Sequence, residues 1–530
     1  MAGKSSTKIL EEARPGTANS LEDGIVEDLG YHQSYRRVFK GLGAFALVLA
    51  MASPMGGILI ISSYQITYGG YWGLVWGWFI PAVIFFPQAL AIAELCSSMP
   101  INGANYWWTA ALAPPALSRP LSFISGWTSV VQVITGLASF SFACGLTLGY
   151  VIPVLQPEWI PTNAQVMGIA MAILLLWGAS SFLHMENVNM VYIANCVIVI
   201  LSTMVFLIAL PTSHSLQSRP FTSANDVFGR YDNFSDWERP VAVPITFFSA
   251  AWVITGWNSP TYIAEDTHNA RVVCPKSCLE TWVALSIMGI FCCLAVAFCL
   301  TDLEAAVADS TGLPLYTLLL DHWGSKAGCA FLLIISGNSI VGGSSYLLAS
   351  ACQVAAFARD GGLPFSEKLA RVNIKSNIPI NAGLSLVCGA LLVLLFGLSS
   401  TAGSIIFSLA VIAGLMNMAL PIGLRIFAGD RFVPGPFNYG KFSQPIHIWA
   451  FLSLIYMTIM ESFPLSKNWN IDTFNYNWVV ALGAIVGSII GWFVLGKNYP
   501  GLDLGAVQTW RIQSQGVPVN GGSGLSDERT

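Results

Sequence analysis

A succession of continuously apolar stretches, each near the ~20 residues a helix needs to cross a bilayer, constrains this chain more than any other feature. They fall at 41–64, 72–97, 122–150, 163–182, 188–210, 243–265, 280–301, 327–357, 379–397, 402–425, 445–464 and 477–496, and so predict twelve spans. None shows the two-residue alternation of a membrane β-barrel, which leaves helices. Composition points the same way. Hydrophobic residues make up 54% of the chain and charged residues 10%, against roughly 25% charged in a soluble domain. A water-exposed surface cannot be assembled from so few charges, so most of the chain must face lipid or other apolar helices. A net charge of −4 with no basic block argues against nucleic-acid binding. The eleven cysteines are scattered through apolar sequence without CxxC or Cys/His ligand spacing and read as buried free thiols.

Orientation follows from the basic residues. With the N-terminus in the cytoplasm, Arg219, Arg230, Arg239, Lys326 and Lys467 fall outside and the other 19 of the 24 Lys and Arg fall inside. That is a positive-inside bias. The expected organisation is a cytoplasmic tail at 1–40, a five-helix unit at 41–210, an extracellular loop at 211–242, a second five-helix unit at 243–425, helices 11 and 12 within 445–496, and a cytoplasmic tail at 497–530. The first 40 residues hold no signal-peptide apolar region. The tails at 1–35 and from Gly516 to Thr530 read as disordered by composition. Asn233-Phe234-Ser235 in the long loop has the pattern of a glycosylation acceptor.

Spans 1–5 and 6–10 can be laid over one another. Span 1 is interrupted near Ser53 and span 6 near Gly256, 203 residues apart, and spans 3 and 8 start 205 apart. Because five is odd, the second copy enters from the opposite side, which makes an inverted repeat. The first helix of each copy carries the informative residues. Span 1 reads Ala52-Ser53-Pro54-Met55-Gly56-Gly57-Ile58 and span 6 reads Thr255-Gly256-Trp257-Asn258-Ser259-Pro260. Proline removes an N–H and clashes with the preceding turn; glycine weakens the helix and allows unusual dihedrals. One such site alone would be a kink or a small-residue packing contact. Two at matching repeat positions predict paired unwound segments, which membranes tolerate only where they line a cavity or are buried. The N-terminus of one half-helix offers N–H groups to a carboxylate, and the C-terminus of another offers carbonyls to a cation.

Three further stretches carry a family resemblance: Glu94-Leu95-Cys96-Ser97-Ser98-Met99-Pro100-Ile101-Asn102-Gly103-Ala104-Asn105-Tyr106-Trp107-Trp108 after span 2; Gly256 through Ala270, with Glu265-Asp266-Thr267, followed by Pro275; and Ala356-Phe357-Ala358-Arg359-Asp360-Gly361-Gly362-Leu363-Pro364-Phe365-Ser366 after span 8. Over residues ~30–500 the chain resembles the amino acid–polyamine–organocation superfamily, and within it the fungal amino acid/choline group that includes GABA permeases. The resemblance implies an all-α membrane protein of the LeuT type, with a 5+5 inverted repeat and broken helices 1 and 6, working by alternating access. It implies that Ser53, Met55, Gly56 and Gly57 meet a substrate carboxylate, that Thr255 and Gly256 meet the amine, and that Trp252 is a gating aromatic whose ring face also attracts an ammonium group. Trp257 and Asn258 join the same candidate site. Two positions depart from the family's pattern. Asn258 stands where relatives often carry an acid, and span 5 has Asn187, Asn189 and Asn195 where some proton-coupled relatives carry a lysine.

Acids at membrane depth are functional candidates. Glu94 and Glu265, with Arg359 as a basic partner, resemble an inner gate, whereas Glu461 near the outer end of span 11 reads as interfacial. No nucleotide-binding loop is present and the six histidines are isolated in sequence, so neither ATP-driven transport nor an integral-membrane enzyme is expected. No cofactor or metal is implied. The expectation is a secondary carrier of an amino acid or related amine such as GABA, coupled to an ion, with a proton expected, in the plasma membrane. The alternatives are a choline or polyamine carrier of the same fold and a non-transporting nutrient sensor. A choline site would use an aromatic cage, for which Trp252 and Trp257 are suited.

Overall fold

A computed structural model describes residues 35–155, 159, 161–309, 311–396, 402–470, 474 and 476–514. The expected tails at 1–34 and from 515 onward lie outside the described residues. The main body, Tyr35–Leu502, is helical throughout: its described residues contain no strand, and the only β-type pairing among them is an isolated bridge between Phe39 and Thr267. The labelled helices are α1 Gly41–Met51, α2 Pro54–Ile84, α3 Phe86–Ser98, α4 Asn105–Leu112, α5 Pro115–Leu155, α6 Asn163–Ser180, α7 Met185–Leu216, α8 Arg239–Thr246, α9 Phe248–Ile254, α10 Ala270–Cys299, α11 Pro314–Arg359, α12 Ile380–Phe396, α13 Ala402–Ile426, α14 Ser443–Met460 and α15 Asn477–Leu495. A last helix, α16 Leu504–Ser514, belongs to a separate unit.

Among the described residues, ten helical runs are long and apolar enough to cross a membrane, and Ile380–Leu395 is a shorter apolar helix. One of the ten, Gly41–Ser98, is 58 residues long, roughly 87 Å at 1.5 Å per residue, far more than one crossing needs. It is divided by the non-helical Ala52-Ser53 step and by Gly70, at φ 57° and ψ −136°. Gly324, at φ 73°, likewise separates a short lead-in, 314–323, from the long remainder of α11. These conformations lie where a side chain is strained and glycine is not.

Burial separates centre from periphery. In the most apolar window of Gly41–Ser98, 94% of residues lie inside, against 39% for Met185–Leu216 and 17% for Ala481–Asn498. Exposed Leu, Val and Ile such as Leu201, Ile208, Val486 and Ile490 cover α7 and α15, the pattern of helices that face lipid. Ten of the eleven cysteines are free and buried, as expected; Cys388 is free but exposed, because it sits on the outer side of α12. Glu461 departs from its interfacial reading. It closes α14 as a buried residue, near Tyr64 and Tyr456.

Candidate substrate site

The α1–α2 break is written in three residues. Pro54 has no N–H and disfavours helix at the residue before it. Ala52 (φ −98°, ψ 71°) and Ser53 (φ −72°, ψ 109°) accordingly leave the helix, and Ser53 becomes the N-cap of α2. Its Oγ accepts from the Gly56 N–H at a long 3.5 Å, and its carbonyl accepts from the Gly57 N–H at 3.0 Å. Met55, the second residue of α2, has no carbonyl within the helix to receive its N–H. The start of α2 therefore holds its Gly56 N–H only loosely and carries the positive end of a helix dipole.

The second break follows α9. Thr255 is extended (φ −50°, ψ 140°) and Gly256 takes φ +92°. The chain then re-forms as a 3-10 helix, Ser259–Asp266, with Pro260 in its first turn. The two breaks touch. A Cβ on Gly57 would lie 2.5 Å from Val253 Cγ2, and one on Gly256 would lie 2.0 Å from Met51 Cε. Glycine is what allows each strand of unwound backbone to approach the other helix. The α1 break also rests on α11, where a Cβ on Gly342 would meet the Ala50 carbonyl at 2.4 Å.

Beside this contact lies a hollow with about 720 Å³ of empty volume, counting its mouth. Met51, Ser53, Gly56 and Gly57 form one wall, with Trp252, Thr255 and Gly256 facing them. The far wall comes from Gln132, Ser139 and Phe140 of α5, Ser339 and Tyr346 of α11, and Val411 of α13. Trp252 is oriented by donating its Nε1–H to Ser139 Oγ at 3.1 Å, and Thr255 Oγ1 turns back to the Ala251 carbonyl at 2.5 Å. Asn417 Nδ2 donates to Gln132 Oε1 at 2.6 Å, and Ser129 Oγ donates to Asn417 Oδ1 at 2.9 Å. Among the described residues, no lining side chain is Asp or Glu.

Six sequence-predicted positions thus meet at one hollow: Ser53, Gly56, Gly57, Trp252, Thr255 and Gly256. Three do not line it. Met55 is fully buried in the first turn of α2. Trp257 points to a neighbouring apolar cavity and packs edge-on against Trp282, with ring centroids 5.3 Å apart. Asn258 is buried and donates through Nδ2 to Tyr262 Oη at 2.9 Å. The far wall was not identified from sequence. Gln132, an amide in mid-span, was its one legible signal, since polar groups inside a membrane need a reason to be there.

The acids separate into two groups. Glu265 is fully buried and receives Arg359 through both of its oxygens, at 2.7 and 3.0 Å. Asn102 braces it, accepting from the Glu265 N–H at 2.8 Å and donating its own N–H to Oε1 at 3.1 Å. Asn102 Nδ2 also donates to Asp266 Oδ2 at 3.1 Å, and the Asp266 carbonyl receives the N–H groups of Val38 and Phe39. This knot ties the 3-10 helix, α11 and the segment before α1. Glu94 turns elsewhere: it accepts from Ser443 Oγ at 2.6 Å and from the Tyr439 N–H at 3.4 Å, with His447 Nδ1 3.5 Å away. Its partners lie at the start of α14, not in the Glu265–Arg359 pair. Asn233 is half-buried, donating to the Trp237 carbonyl at 2.7 Å and accepting from Ser235 Oγ at 2.7 Å. Among the described residues, no group of three or more His, Cys, Asp or Glu could hold a metal ion.

Residues 39–486 match the model of a family described as amino acid permease. An uncharacterised amino-acid permease of Schizosaccharomyces pombe is 29% identical over 511 residues, covering 94% of this chain and 91% of the relative. The GABA-specific permease of Saccharomyces cerevisiae is 27% identical over 503 residues, covering 91% and 86%. Among solved structures, a manganese transporter from Eremococcus coleocola superposes with a TM-score of 0.50 at 10% identity, over 94% of this chain and 98% of that one. At that identity the likeness is one of fold.

Proposed function

The chain belongs to the amino acid permease family, a multi-pass membrane protein, and from that premise we propose that it is a secondary active carrier of amino acids or related amines such as GABA. The observation that carries this reading is the meeting of the two helix breaks at one hollow. Donors at the start of α2 suit a carboxylate, the extended Thr255-Gly256 backbone supplies carbonyls for an amine, and Trp252 caps the space between them. Transport proceeds by alternating access in a LeuT-type 5+5 inverted repeat. This layout treats Gly41–Ser98 as two crossings and adds Ile380–Leu395, making twelve with the other nine runs. The N- and C-termini are cytoplasmic, the membrane is the plasma membrane and the coupling ion is a proton. Residues 41–210 and 243–425 are the repeats, and 445–496 hold helices 11 and 12.

The Glu265–Arg359 pair, braced by Asn102, is the inner gate: opening the inner side separates the 3-10 helix from the end of α11. Glu94 contributes from the other flank, by holding the start of α14 through Ser443. Met55 and Asn258 act behind the hollow, by shaping the two breaks.

A second reading, a carrier of choline or another quaternary ammonium, is favoured by one observation. Trp252, Phe140 and Tyr346 place three aromatic rings around the hollow. The test is a competition panel on the full chain in vesicles, with GABA, other amino acids, choline and polyamines at several pH values, for the native protein and Trp252→Ala. Amino acids competing and choline failing supports the first reading. Choline competing with Trp252-dependent affinity while amino acids fail overturns it.

A further inference from the structure

Two histidines far apart in sequence meet where the function above makes no use of them. His214 is in the last turn of α7, and His322 is in the 314–323 lead-in of α11. At ~1.5 Å per residue, the 32 residues of α7 run about 48 Å, well past the ~30 Å hydrocarbon core. The pair is nevertheless buried by protein, with His214 at 0% and His322 at 5% exposure. His214 Nδ1 lies 2.9 Å from His322 Nε2. The ring planes differ by 13° and the centroids stand 5.1 Å apart, the separation of two imidazoles joined edge to edge in one plane.

The outer nitrogens settle the proton count. His322 Nδ1 is 2.8 Å from the Leu318 carbonyl, and His214 Nε2 is 3.1 Å from the Pro220 carbonyl. A carbonyl only accepts, so both of those nitrogens carry hydrogen. The nitrogen–nitrogen contact needs a third hydrogen between its two atoms. Two neutral imidazoles own two N–H groups in all; this string of three hydrogen bonds requires three. We propose that His214 and His322 form a proton-binding site, which holds one extra proton, shared across their contact, in the structure seen here.

The site is also a clasp. It links the loop after α7, through Pro220, to the lead-in of α11, through Leu318. Arg219 from that loop and Asp321 from the lead-in are the charged groups beside it, and they offset one another as an ion pair. Phe221 packs on His214 with ring centroids 4.7 Å apart. Two further ties across this junction do not titrate: Gln217 Nε2 donates to the His322 carbonyl at 2.8 Å, and Trp323 Nε1 donates to Ser213 Oγ at 3.1 Å. Loss of the proton therefore removes one of three bonds in the string and loosens the junction without releasing it. By linkage, a proton taken up on folding adds stability at low pH and that stability is lost when the shared proton leaves.

The experiment uses the purified full chain in lipid nanodiscs and does not depend on which substrate is carried. Nitrogen-15 spectra of labelled histidine should show, at pH 5.5, one ring pair with three protonated nitrogens, assigned by its loss in His214→Gln and His322→Gln. The melting temperature should fall by about 1–3 °C between pH 5.5 and 8 and this fall should be absent from His322→Gln. Two neutral rings at pH 5.5 in the native protein would overturn the proposal, as would an unchanged pH slope in the variant. If neither variant folds, the native spectrum decides through its proton count alone.

Discussion

Replacing Gly57 with alanine puts a methyl group where the structure has none to spare. Its carbon would lie 2.5 Å from Val253 Cγ2 and 2.9 Å from Cγ1, closer than carbon atoms approach. Val253 must move, and with it the end of α9 just before the second break. Overpacking of this kind costs about 1–3 kcal/mol. Against it stands the helix preference of alanine over glycine, worth ~0.5–1 kcal/mol in the first turns of α2. The net expectation is a loss of about 0–2 kcal/mol, too small alone to be diagnostic. The companion variant Val253→Ala makes it so. Removing both methyls costs about 1–2 kcal/mol of packing and leaves only the Cβ of residue 253, 3.2 Å from the new carbon. In that background a shift of a few tenths of an ångström relieves what remains, and Gly57→Ala should be close to neutral. The assay is thermal unfolding of the four proteins, native, two single variants and the double, in one lipid composition. The expected outcome is a smaller loss in the Val253→Ala background than in the native one, with a coupling of about 1–3 kcal/mol. Equal shifts in the two backgrounds would show that Gly57 and Val253 are not in contact, and the meeting of the two breaks would go with them.

Three other expectations follow from named contacts. Arg359→Ala should destabilise by about 3–5 kcal/mol, because it strands the fully buried Glu265 carboxylate; the double variant Glu265→Gln/Arg359→Met should recover most of that loss, as read by unfolding midpoints. Gln132→Glu should weaken amino acid uptake tenfold or more while sparing a quaternary ammonium competitor. Gln132 lines the hollow with Oε1 engaged by Asn417, so a carboxylate in its place sets a second negative charge against the substrate's, where a hydrogen bond to a charged group is worth ~1.5–3 kcal/mol. In the 211–242 loop, the N–H groups of Lys467 and Asn468, with the Ser466 hydroxyl, hold the Asp236 carboxyl down at about 2. The folded value lies below the ordinary one of ~3.9, so this tether is complete above pH ~4 and is lost as pH falls through about 2. Protection of the Lys467 and Asn468 amides, relative to their intrinsic exchange rates, should fall over that window, and in Asp236→Asn it should already be lower at pH 6.

The breaks were legible because their cause is local. Pro54 disfavours a helical conformation at its predecessor and is followed closely by Gly56 and Gly57, unlike Pro81, which α2 accommodates, and Gly256 can hold φ +92° without a Cβ penalty. The spans were legible because lipid imposes one simple rule on composition. What sequence left open was tertiary. Whether Trp257 turns toward the hollow or toward Trp282 depends on which side of a short unwound segment it leaves, and no periodicity governs a segment without a period. The same holds for Glu94. Its motif position was visible, but its partners Ser443 and Tyr439 lie some 350 residues on, and only packing of α3 against the start of α14 brings them within reach.

The far wall shows the limit in another way. Seen in sequence, Ser129, Gln132 and Asn417 are three polar residues in two apolar runs, and each is more simply read as glue between helices. The structure shows that two of them are glue: Ser129 and Asn417 bond across α5 and α13. Gln132 does both jobs, bonding to Asn417 while its side chain lines the hollow. The glue holds Oε1 on Asn417 and leaves Nε2 on the side of Tyr262 and Gly414. A side chain that would otherwise turn freely is thus fixed by its neighbour on another helix, and that arrangement is invisible in either run alone.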